Sequence, residues 1–162
     1  MARKLTHVDA RGRARMVDVS AKSETVRQAV ARGEVRMKSQ TLRLIRQNRI
    51  AKGDVLAVAQ VAGVNAAKRT DELIPMAHTV PLTGVQIDFA LDDRAGAVGI
   101  QATASTVGRT GVEMEALTAV VAAALAIYDM CKAVDRSMTV ERVRLISKTG
   151  GRSGAYRRED EA

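Results

Sequence analysis

No tryptophan occurs in the 162 residues, and Phe89, Tyr128 and Tyr156 are the only aromatic side chains. A core for a chain of this length must therefore be built from Ala, Val, Leu, Ile and Met, and the many alanines imply closely packed helices. Stacking platforms for single-stranded nucleic acid are missing, and none of the common DNA-reading motifs is present. Cys131 is the sole cysteine, which excludes an intrachain disulfide. It lies deep in an apolar run, where a buried inert thiol is expected rather than a nucleophile. With only two histidines beside it, no metal-ligand spacing exists and a structural zinc is excluded. A carboxylate-held Mg²⁺ is not excluded; no other cofactor is indicated. Arg3, Lys4, Asp9, Arg11, Arg13 and Arg15 interrupt any N-terminal signal-like run. The apolar window from Ala116 to Ile127 is shorter than the ~20 residues a membrane span needs. The expectation is one cytoplasmic domain over residues 1–162, with a flexible start (about 1–15) and tail (about 150–162).

Charge is present in excess and unevenly. Residues 1–52 carry fourteen Lys or Arg against four acids, whereas the remainder carries twelve against fourteen, for a net charge of +8. A basic front end suits an anionic partner: nucleic acid, an acidic membrane or a phosphorylated small molecule. The lack of stacking aromatics keeps phosphate on a small ligand open as one of these options.

The longest uninterrupted stretch follows Gly108-Arg109-Thr110-Gly111 and runs to Val134 without Gly or Pro. That composition predicts a long helix, apolar on all sides between Ala116 and Ile127 except at Thr118, and so the core helix. At about 100° per residue, Glu115, Thr118, Asp129 and Lys132 share one polar stripe. Asp129 and Lys132 are surface neighbours at i,i+3, but Glu115 lies about 21 Å from Asp129. One small site cannot use both unless a second, antiparallel copy brings them together. Acids in a first turn and a lysine in a last turn also suit the helix dipole without any function, although Asp129 is at the wrong end for that.

Elsewhere, Leu5–Val8 and Met16–Val19 read as two partly extended patches with a Gly-containing basic turn between them. Ser20 or Ser23 caps an expected helix to about Arg32, which Gly33 stops, and Glu34–Lys38 alternates as a short strand. Ser39 is the expected N-cap of a helix through Gln47, with Leu42 and Ile45 inward. Asp54 caps a run to Thr70 that length assigns to helix, although Val55, Val58 and Val61 alternate as a strand would. Asp71–Pro81 reads as an ordered loop. Val85–Leu91 and Ala97–Val107 form a hairpin around Asp92–Gly96, and Val140–Lys148 is a last strand. From Glu34 onward the order β-α-β-β-α-β predicts an α+β, ferredoxin-like sandwich with extra N-terminal helices. Its uncovered sheet face predicts self-association.

Three stretches could carry chemistry. Lys52 before Gly53-Asp54, and Gly108–Gly111 before the core helix, place cations or free N–H groups at helix starts, as phosphate sites do. Lys148-Thr149-Gly150-Gly151-Arg152-Ser153-Gly154 could wrap an anion, but lacks Walker spacing. His78 follows the Pro75 turn, where a histidine is either structural or functional.

Lys52-Gly53-Asp54, Ala66-Ala67-Lys68-Arg69-Thr70, Leu73-Ile74-Pro75 with His78, Thr110–Thr118, Ile127–Ala133, Met16–Ser20 and Ser147–Gly154 occur in the order in which the cyclic pyranopterin monophosphate synthase family carries them. The chain resembles that family over about residues 5–155. The resemblance implies a lyase that converts (8S)-3′,8-cyclo-7,8-dihydroguanosine 5′-triphosphate to cyclic pyranopterin monophosphate and diphosphate in molybdenum cofactor biosynthesis. It implies a homohexamer, a trimer of dimers with sites at the dimer interfaces. It assigns catalysis to Asp129, Lys132, Lys52, His78 and Glu113, and substrate contact to Met76, Ala77, His78, Met114, Glu115, Lys68, Arg69 and Lys148. The family often has Cys-His-Pro where this chain has Ala77-His78-Thr79, so no chemistry here rests on a thiol at 77. Two rivals from other classes remain: an RNA-binding module using the basic first 52 residues, and a structural oligomer without a site.

Overall fold

Small residues on alternate positions build the central strand. In the computed structural model, which describes residues 11–13 and 16–161, the elements run β1 (Thr25–Arg36), α1 (Ser39–Arg46), α2 (Val55–Ala67), α3 (Thr70–Leu73), β2 (Leu82–Asp92), β3 (Ala97–Gly108), α4 (Glu113–Cys131), β4 (Thr139–Thr149) and β5 (Tyr156–Arg157), then a 3₁₀ turn at Glu159–Glu161. The expected patch at Leu5–Val8 and most of the expected flexible start lie outside the described residues. The class is α+β: one antiparallel sheet in the order β2-β3-β1-β4-β5. α2 and α4 pack against each other, α4 on β1, β3 and β4, and α2 on β2.

The helix expected from Ser20 or Ser23 to Arg32 is instead the first half of β1. Ala29, Ala31, Gly33 and Val35 alternate inward toward α4, and neighbours on both edges satisfy the backbone. Gly33 does not stop a helix. A Cβ there would come within 2.7 Å of Val120 Cγ1 on α4, so glycine lets the strand pass beneath the helix. No helix precedes β1 among the described residues.

Lys38, not Ser39, is the N-cap of α1, and its side chain caps nothing. The start of α1 is held from outside by Asp135, whose Oδ2 accepts from Lys38 N at 2.9 Å and Thr41 Oγ1 at 3.1 Å. Asp54 does cap α2, accepting from Ala57 N at 3.0 Å. α2 ends at Ala67, short of Thr70, and α3 begins where a loop was expected. Gly63 sits at the α2–α4 crossing, where a Cβ would press on Ile87 and lie 2.9 Å from the Ala119 carbonyl. Ala119, Ala123 and Ala124 are fully buried, as an alanine-rich core requires.

α4 is the one described helix long and apolar enough to cross a membrane, but half of that stretch is buried inside the protein, where it forms the core. The residues beyond Gly154, expected to fray, return as β5 along β4, and Arg158 donates from N to the Ile146 carbonyl and from Nε to the Leu145 carbonyl. The outward faces of α2 and α4 leave Val58, Val61, Val121 and Leu125 exposed.

Candidate functional site

The C-terminal end of α4 carries the first group of side chains. Asp129 and Lys132, one turn apart, pair at 2.7 Å through Oδ1. Lys52 reaches them from the turn before α2, where Gly53 (φ 104°) bends the chain and Asp54 starts the helix. Its Nζ lies 2.9 Å from Asp129 Oδ2 and donates to the Asp129 carbonyl at 2.9 Å. Hydrogen bonds from Lys132 and then Lys52 hold the Asp129 carboxyl at about 2, below the usual range. One carboxylate thus converges two ammonium groups, all three partly exposed. This is a cationic pair that can face phosphate or move a proton.

The N-terminal end of α4 borders the second group. A cleft of about 300 Å³ is lined by Met76, Ala77 and His78 from the loop after α3, by Thr110, Gly111, Glu113, Met114 and Glu115 around the helix start, and by Val17, Val19, Lys22 and Val80. His78 Nε2 lies 2.7 Å from the Val17 carbonyl. Because a carbonyl only accepts, Nε2 is the donor in this contact. Thr79 donates to Asp71 Oδ2 at 2.5 Å and ties the loop to α3. Glu113 pairs with Lys148 at 3.6 Å, and Lys148 also contacts Ser153 Oγ. A Cβ on Gly111 would meet the Glu113 carboxylate, the movable end of that side chain. Glu115 is buried, at 4% exposure, and burial pushes its carboxyl up to about 7, with the charges of Glu113 and Asp71 adding. A carboxyl that titrates near neutrality can serve as acid or base.

The sequence-derived residues therefore separate into two sets. Lys52, Asp129 and Lys132 meet at one end; Met76, Ala77, His78, Glu113, Met114 and Glu115 share the cleft at the other, with Lys148 joined through Glu113. Glu113 and Asp129 stand at opposite ends of α4, about 24 Å apart at ~1.5 Å rise per residue. Lys68 and Arg69 are exposed at the end of α2 and do not line the cleft. Sequence reasoning missed Lys22, one basic residue among many before residue 52, and it missed Asp135, whose burial no local pattern signals. Cys131 is fully buried, and burial pushes its thiol up to about 11, which agrees with an inert role. Among the described residues no three His, Cys, Asp or Glu side chains are grouped so as to hold a metal ion.

A family model described as the MoaC family matches residues 16–151. The chain is similar to a cyclic pyranopterin monophosphate synthase of Thermomicrobium roseum, at 61% identity over 157 residues, covering 97% of this chain and 95% of that protein. It is 59% identical over 155 residues to one from Thermoanaerobacter sp. (96% of this chain, 98% of that protein). A relative of the same name from Roseiflexus sp. is 59% identical over 152 residues, with 94% and 96% covered.

Proposed function

Because the chain belongs to the MoaC family, we propose that it converts (8S)-3′,8-cyclo-7,8-dihydroguanosine 5′-triphosphate to cyclic pyranopterin monophosphate with release of diphosphate, a lyase step in molybdenum cofactor biosynthesis. The whole chain is one such domain, acting in the cytoplasm without a resident cofactor, on a small molecule rather than on nucleic acid or membrane. The topology supports a ferredoxin-like unit: two helical connections, between β1 and β2 and between β3 and β4, with the sheet ordered β2-β3-β1-β4.

The observation that carries the reading is the placement of complementary groups at opposite ends of α4. One end offers two cations on one carboxylate; the other offers a histidine, two glutamates and a cleft. A second copy running antiparallel across the exposed Val58, Val61, Val121 and Leu125 would bury apolar surface and join one copy's ammonium pair to its partner's cleft. Three such dimers make the hexamer that the family resemblance implies. The reaction opens a guanine-derived ring, forms a C–N bond and closes a cyclic phosphate as diphosphate leaves. It needs proton donors and acceptors together with cations for the phosphate charge. Lys52 and Lys132 fill the cationic and acid–base roles, with Asp129 positioning both. Glu113, Glu115 and His78 serve proton movement and binding beside Met76, Ala77 and Met114. Lys68, Arg69 and Lys148 extend the positive field toward the triphosphate.

Incubation with the enzymatically prepared cyclised dihydro-GTP tests this directly. Diphosphate and an oxidisable pterin are expected from the wild type and strongly reduced for Asp129→Ala. No release by the wild type, or steep salt-dependent RNA binding in its place, would reject the assignment.

A further inference from the structure

Arg27 lies on β1 with the same parity as Ala29 and Ala31, and so on the helix-covered side of the sheet. Its Nε donates to the Gly108 carbonyl at 2.9 Å and its Nη2 to the Arg109 carbonyl at 3.0 Å. The far side of the same guanidinium rests on the loop after β4. Gly150 (φ 87°) and Gly151 (φ 76°) both occupy the left-handed region. A Cβ on Gly151 would overlap the guanidinium, 2.8 Å from its Cζ, and one on Gly150 would run into the Val26 carbonyl and lie 3.1 Å from Arg27 Cγ. One side chain therefore hydrogen-bonds one glycine-containing loop and packs against a second. The first leads into Glu113, which lines the cleft, and the second follows Lys148, which pairs with Glu113 at 3.6 Å.

We propose that Arg27 is a positioning residue for the reaction: it sets Glu113, which lines the cleft, against Lys148 by hydrogen-bonding the loop before Glu113 and packing on the glycine loop after Lys148. The requirement is for a planar fork with several fixed donors and a flat face for glycine to pack on, which lysine cannot reproduce. The inference rests on the reading that this cleft holds the substrate.

The test is a double-mutant cycle on the full chain with the cyclised dihydro-GTP, using Arg27→Lys and Lys148→Met. Arg27→Lys is expected to shift the thermal midpoint by only about 4 °C or less while lowering kcat by about tenfold or more, as a displaced catalytic group does. In the Lys148→Met background, Arg27→Lys should cost less than about twofold, because it acts through the Glu113–Lys148 pair already lost. Multiplicative effects, or an Arg27→Lys enzyme within about twofold of wild type beside an impaired Lys148→Met, overturn the inference alone. A silent Lys148→Met likewise overturns the inference alone, whereas a wild type that releases no diphosphate overturns the reading of the cleft and the inference with it.

Discussion

Lys52 grips Asp129 twice: its Nζ is 2.9 Å from the side-chain Oδ2 and 2.9 Å from the main-chain carbonyl. That double contact locks the turn before α2 onto the end of α4, and the opposite carboxylate oxygen is left for Lys132 at 2.7 Å. Two ammonium groups are thereby held close together by one acid.

Removing either part of this arrangement should harm turnover far more than stability. Lys132→Ala is expected to lower kcat/KM by more than about tenfold, and Asp129→Ala by a similar factor. Both should leave the thermal midpoint nearly unchanged, because exposed ion pairs contribute little to stability. Diphosphate release and thermal unfolding measured on the same preparations check this. Near-normal turnover of Lys132→Ala would remove the lysine from the mechanism.

A shared site makes a prediction that a one-chain site does not. His78→Ala damages the cleft and Lys132→Ala the ammonium pair, so either variant alone should be inactive. When subunits of the two are exchanged in equal amounts, half of the dimers are mixed and each holds one intact site. Activity should then return to about a quarter of wild type. A mixture no more active than its parts would place both groups in one chain's own site.

Glu115 ties stability to pH. Its carboxyl ordinarily titrates at 4.5, and burial raises it to about 7. Between those values the folded chain keeps a proton that the unfolded chain has lost, so stability falls as pH rises through the window and levels off above it. Glu115→Gln should abolish that slope and be the more stable form at pH 8, by roughly 2–4 kcal/mol at 1.36 kcal/mol per pKa unit. Denaturant titrations of both proteins across pH 4–8 measure it. Parallel curves would mean that Glu115 is ionised in the fold.

Asp135 works in the opposite sense. Burial pushes its carboxyl up, but hydrogen bonds from Lys38 N, from Ser137 Oγ and N, and from Thr41 Oγ1 outweigh it and hold the group at about 2. The stability it contributes is complete above its ordinary pKa of 3.8 and is lost as pH falls toward 2. Asp135→Ala strands those donors and should cost about 3 kcal/mol at neutral pH, most visibly as earlier melting of the contact between α1 and the segment after α4. An unchanged unfolding midpoint would show that the carboxylate anchors nothing.

Long, breaker-free or strictly alternating stretches were readable along the chain. α4, the β2–β3 hairpin and β4 fall where composition and period place them, because their patterns persist over enough residues to outweigh local ambiguity. The first half of β1 reads as helix in the sequence. Thr25–Arg32 has alanines that favour helix locally, and only pairing with β3 and β4 on both edges, with Val120 seated over Gly33, makes the extended form win. The stripe on α4 was legible as spacing, and it correctly separated Glu115 from Asp129. Lys52 could be joined to that stripe only by family resemblance, since it is 77 residues from Asp129.

What the amino-acid order determined alone is an aromatic-poor α+β chain with an alanine-rich core helix whose polar groups sit at its two ends. Those properties follow from composition and from periodicity along a single element. The tertiary structure decided that Lys52 closes on Asp129, that Glu115 loses its water, that Asp135 is sealed beneath α1 and that Arg27 spans two loops. Each of these depends on which distant segments become neighbours and how much solvent they exclude, and neither quantity is encoded in the order of adjacent residues.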